Sequence, residues 1–273
     1  MTFASRRFGA LCLSIVLAAG LIWLAMAYDL TLRDASYLTG WLLFGGVVLA
    51  STFNMRKKLP FLPLLNASIW LQIHIYIGWL LVVLFFLHTS LEWPLGWFEG
   101  VLWFLFVLVS LSGLIGLFLS RSLPVRIQNH GERLIFERIP QFRAELADEV
   151  EVLATRSVRE TASNTIALYY VNRLQAYFSG PKNLVAHLLE SRAALTKHRR
   201  EIDSLERYLQ EDGREILANI KDLIVAKDNL DYQYSLQLVL RLWLFVHIPL
   251  TYALLLVALV HIVLTYAFSG ATL

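Results

Sequence analysis

The sequence predicts an all-α integral membrane protein. Five transmembrane helices form one bundle, and a largely helical insert separates the fourth from the fifth. Three observations carry this. The 273 residues are 57% hydrophobic with a mean hydropathy of +0.57, more apolar surface than a water-soluble domain keeps covered. Five segments are long and apolar enough to cross about 30 Å of hydrocarbon, which takes about 20 helical residues. Residues 121–236, by contrast, carry 17 basic and 17 acidic residues, the composition of a solvated region. The expected organisation is therefore membrane helices over 1–120, an insert over 121–236, and a last span with a short tail over 237–273.

The first span, Phe8–Ala27, follows Arg6 and Arg7 and ends in "AMA", like a secretory leader. Its apolar run exceeds the usual ~7–15 residues of a leader, so it reads as a retained anchor. Tyr37–Phe53 is the shortest span, followed by Ala67–His88 and Trp97–Leu119. Leu238–Phe268 is the fifth. In the insert, Pro140 and Pro181 are placed to start helices, and "ELADEVEVLATRSVRE" has helical character. "NTIALYYVNRLQAYF" fits strand or helix. From Leu188 an apolar stripe recurs every seven residues through Leu195, Ile202, Leu209, Ile216, Leu223 and Leu230. That favours one long helix feeding the fifth span, with a hairpin at Gly213 as the rival. The stripe would pack on its own domain, on a partner helix or in a homodimer. His130, His187 and His198 lie among charges and read as solvated. Interspersed charge of both signs argues against nucleic acid.

Charge in the short loops sets orientation. Arg6, Arg7, Arg56, Lys57 and Lys58 fall on one side, and Asp29, Arg33, Asp34, Glu92 and Glu99 on the other. The N-terminus and the 121–236 insert are expected in the cytoplasm and Leu273 outside, as in a bacterial inner membrane. The third and fifth spans then run in the same direction.

Those two spans each carry a pair of histidines fourteen residues apart: His74 and His88, His247 and His261. Fourteen helical residues rise ~21 Å in about four turns, so each pair projects from nearly one face. On parallel spans His74 is level with His247, and His88 with His261. An imidazole in hydrocarbon is costly and points to function. Two facing each other across a bundle can ligate one haem iron axially, while the apolar macrocycle fills the interior. The pattern predicts two haems, one per level, with no axial position left for carbon monoxide. The one cysteine, Cys12, excludes disulfides, cysteine-ligated zinc, iron–sulfur clusters and covalently attached c-type haem within this chain.

The His74/His88 and His247/His261 pairs resemble the H-x13-H pairs of transmembrane di-haem b-type cytochromes. These include cytochrome b of the bc complexes and the ferric-reductase/NADPH-oxidase membrane domain. The resemblance covers the spans and implies two low-spin b haems forming a wire across the membrane. No G-x-G-x-x-G nucleotide motif lies in the insert. "LEWP" at 91–94 is similar to the quinol-site tetrapeptide of bc-type cytochromes in a different order. Glu92 is thus either a quinol-proton acceptor or an ordinary interfacial glutamate. Gly78, four residues after His74, offers room for a macrocycle or for helix packing, as do Gly45, Gly46, Gly113 and Gly116. Arg241 could pair with a haem propionate or snorkel. Pro249 could re-aim His247.

The expected function is that of an electron-transfer subunit of an oxidoreductase complex. It would link a quinone pool or cytoplasmic donor to a partner redox subunit. The alternative is a haem-free membrane scaffold or sensor.

Overall fold

The computed structural model describes residues 3–31, 34–55, 66–129, 134–161 and 163–269, and every regular element among them is helical. The helices are α1 (Phe3–Asp29), α2 (Ala35–Met55), α3 (Ala67–Thr89), α4 (Trp97–Gln128), α5 (Ile139–Glu160), α6 (Thr165–Tyr169), α7 (Gln175–Phe178), α8 (Leu184–Leu188), α9 (Ala193–Glu206) and α10 (Glu211–Ser269). Five of them, α1 to α4 and α10, are long and apolar enough to cross a membrane. Arg33, Arg56, Lys57, Lys58, His130 and Leu273, used above for orientation and surface assignments, lie outside the described residues.

The chain divides into two compact units. The first comprises residues 1–118 and 243–273, and the second residues 119–242.

In the first unit the spans keep large apolar side chains on their outer faces, among them Trp23, Phe104, Phe118, Phe245 and Val263. Hydrocarbon tolerates such a surface, because the helices satisfy their own backbone groups. Inside, Val47, Leu81, Leu84, Phe85, Phe106 and Leu254 form the core, with the Phe85 and Phe106 rings stacked at 4.1 Å. Two glycines permit close approach. A Cβ on Gly46 would collide with Leu81, and one on Gly116 would lie within the Trp243 indole. Asp34 accepts a hydrogen bond from the Ser36 N–H at 2.8 Å and so caps the start of α2. The α3 helix ends at Ser90 and Leu91, both with positive φ (51° and 61°), where the chain turns toward α4.

The second unit has its own core of Val150, Ile166, Leu174, Phe178, Ile202, Ile216, Leu217, Ile220 and Ile224. Pro140 sits in the first turn of α5, as its fixed φ and missing N–H favour. Several expectations need correction here. The segment open between strand and helix is helical, with a π turn over Tyr170–Leu174. Pro181 does not open a helix; α8 starts at Leu184 after a left-handed Asn183. No single helix runs from there into the fifth span, because the helix is interrupted over residues 189–192 and again over 207–210. Gly213, the rival turn position, lies inside α10. Ile202, Leu209 and Ile216 of the heptad stripe enter this unit's core, and Leu195 and Leu223 pack against it.

His187 is buried, at 4% exposure, and faces Asp228 at 3.7 Å. His198 is half-buried against the Tyr177 ring at 4.6 Å. Neither is the solvated residue its charged neighbours suggest. Burial holds the His198 imidazole below the usual histidine range, with nearby Glu201 opposing the shift. The balanced charges of this segment are also partly internal. Lys227 and Asp231 are both fully buried and pair with each other. Lys227 donates to the Gly180 carbonyl at 2.8 Å and lies 4.4 Å from the centre of the Tyr177 ring. Asp231 also accepts the Lys182 N–H at 3.0 Å and faces Arg143 at 3.2 Å.

Candidate metal centre

The four span histidines meet as two pairs. The rings of His74 on α3 and His247 on α10 stand 6.4 Å apart, centre to centre, at 81°. Those of His88 and His261 stand 6.4 Å apart at 82°. The two sets repeat one geometry. A metal ion bonded to an imidazole nitrogen sits about 2 Å from it, and the nitrogen is about 1.2 Å from its ring centre. Two rings on opposite sides of one metal therefore hold their centres about 6 Å apart. Among the described residues no three His, Cys, Asp or Glu side chains converge. A haem iron needs no third, because the porphyrin supplies its other four nitrogens.

Three of the four rings are fixed through Nδ1. His74 Nδ1 is 3.0 Å from the Ala50 carbonyl, and His88 Nδ1 is 3.0 Å from the Ser36 carbonyl. A carbonyl only accepts, so each ring must carry its proton on Nδ1, leaving the Nε2 lone pair for a metal. His247 Nδ1 lies 2.6 Å from Ser112 Oγ. That hydroxyl spends its hydrogen on the Val109 carbonyl at 2.9 Å, so it accepts from His247 and selects the same tautomer. Such outer partners orient metal-binding imidazoles and raise their basicity. For His261 no hydrogen-bond partner occurs among the described residues; the Phe98 ring lies nearly parallel at 6.3 Å.

The surroundings suit a large flat apolar group. A cavity of about 550 Å³ opens beside His88 and His261, with Gly40, Val47, Leu102 and Phe106 in its wall, within the usual size of a cofactor site. Asp34, Glu92 and Glu99 also line it. Beside Gly78, and beside Gly45, no atom lies within 4 Å of where a Cβ would stand. Gly113 comes within 4.0 Å of His247, measured from the same Cβ position.

Arg241 is engaged by Glu137 and lies over the Phe136 ring at 4.0 Å, so a propionate there would compete with Glu137. Pro249 lies inside α10, which continues through it.

Sequence reasoning missed four supporting groups. The Ala50 and Ser36 carbonyls are main-chain atoms and carry no sequence signal. Ser112 is one hydroxyl among many in apolar spans. Trp70, one turn before His74, buries an indole N–H with no acceptor among the described residues, an orphan donor of the kind a bound acidic group would satisfy. No known protein family, no curated protein and no solved structure matches this chain.

Proposed function

We propose that this chain is a transmembrane electron-transfer subunit that holds two b-type haems, one between His74 and His247 and one between His88 and His261. The observation that carries the reading is the repeated 6.4 Å ring separation, with Nε2 left free for a metal on His74, His88 and His247. Structural histidines would have no reason to adopt one spacing twice.

When bound, the haems would supply one-electron transfer across the bilayer. The protein's part is to hold and insulate. Ala50, Ser36 and Ser112 set ring orientation, Gly40 and Gly78 keep the walls low, and the apolar core excludes water. The buried Trp70 N–H would meet a propionate.

Residues 121–236 form the cytoplasmic insert in this reading, and the C-terminus lies outside. Electrons would pass between a quinone pool or cytoplasmic donor and a partner redox subunit, with Glu92 in the cavity wall available to a quinol proton. The chain purified in detergent from haem-replete cells tests this. The expected result is a Soret band, sharp α-bands on reduction, and two haems per chain by pyridine haemochrome. A colourless protein from such cells would return the chain to the scaffold reading.

A further inference from the structure

We infer that His261 is an exchangeable ligand, so that the His88/His261 level admits a small iron ligand such as carbon monoxide while the His74/His247 level does not. This rests on the two-haem reading. Bis-histidine ligation alone predicts that neither level reacts, and the difference in anchoring separates them.

His74 and His88 donate to main-chain carbonyls at 3.0 Å. His247 donates to Ser112 at 2.6 Å and is stacked on Trp243 with ring centres 5.2 Å apart. His88 is further confined by Gly40, whose Cβ position is 2.9 Å from the ring. His261 has no such hold among the described residues. Its ring faces Phe98 at 6.3 Å, a contact that restrains neither rotation about the ring axis nor withdrawal. Losing an outer partner weakens metal retention by about 10- to 100-fold, and His261 starts without one. Exchange breaks one iron–nitrogen bond and makes one iron–carbon bond; no electron changes hands, and His88 remains the opposite ligand.

The test is carbon monoxide titration of the dithionite-reduced chain, followed in the Soret region, with haem counted on the same sample. The expected result is two haems per chain and one carbon monoxide bound. Ser112→Ala, which strips His247 of its acceptor, should take up a second equivalent. Ser112→Thr, which keeps the hydroxyl, should not. Two haems with no carbon monoxide bound, or with two equivalents bound by the unaltered protein, would overturn the inference and leave the haem reading standing. A Ser112→Ala protein that retains two haems but still binds one equivalent would show that anchoring does not decide exchange. A chain without haem would remove both.

Discussion

Gly40→Ala tests the His88/His261 level through a single methyl group. The new carbon would lie 2.9 Å from His88 Cε1 and 3.3 Å from Nδ1. Ordinary carbon–carbon contacts are about 3.5–4.0 Å, so the ring must retreat by about 0.6 Å or more. The 3.0 Å bond from Nδ1 to the Ser36 carbonyl cannot absorb that movement without tilting or lengthening toward the limit of a hydrogen bond. Perturbing such a support reduces metal retention by about 10-fold or more. The expected outcome is a fall from two haems per chain toward one by pyridine haemochrome, with the His74/His247 haem retained. Gly20→Ala on α1 is the control, because nothing lies within 4 Å of its added carbon. Two haems and an unchanged reduced spectrum in Gly40→Ala would refute the reasoning, since His88 would then not be the ligand confined by that glycine.

Other outcomes follow from the same geometry. His74→Ala and His247→Ala should each remove the same haem, and His88→Ala and His261→Ala the other; spectra showing His74 paired with His261 would break the assignment of levels. Asp231→Asn leaves the Lys227 ammonium buried without its paired carboxylate, and should cost about 3–5 kcal/mol in denaturant unfolding of the 119–242 unit; Lys227→Met in the same chain should recover part of it. His198 has a folded-state pKa below its unfolded value, so the unfolded chain binds more protons. Stability should therefore be full above about pH 6.5 and decline as pH falls below it, and His198→Gln should flatten that limb in a pH series of thermal melts. Protease added to intact spheroplasts should leave residues 121–236 uncut, and cleavage there would reverse the orientation proposed from the loop charges.

The spans were legible because hydrocarbon imposes length and apolarity on any helix that crosses it. The pairing was legible for a narrower reason: an equal interval on two parallel helices fixes which positions share a depth. What stayed hidden depends on contacts between distant segments. The heptad stripe suggested a continuous helix because Leu188 to Leu230 keep one phase, a sequence period that the interruptions at 189–192 and 207–210 do not disturb. Lys227 and Asp231 looked like part of a solvated face, since i,i+4 charge pairs usually are. Only the approach of Gly180, Lys182 and Arg143 buries them. His187 was misplaced on the same ground. The left-handed Asn183 has no glycine to announce it.

Each histidine pair joins positions 173 residues apart, 74 with 247 and 88 with 261. At about 5–20 residues per second, a ribosome leaves the α3 imidazoles without their opposite numbers for roughly ten to thirty seconds. During that interval the whole of residues 119–242 is made and free to fold. The second half of both pairs therefore arrives together, on one helix. A chain stalled anywhere before residue 247 would complete neither histidine pair, and one stalled between 247 and 261 only the first. On the two-haem reading, cofactor capture would have to wait for the α10 histidines, after residues 119–242 have been made.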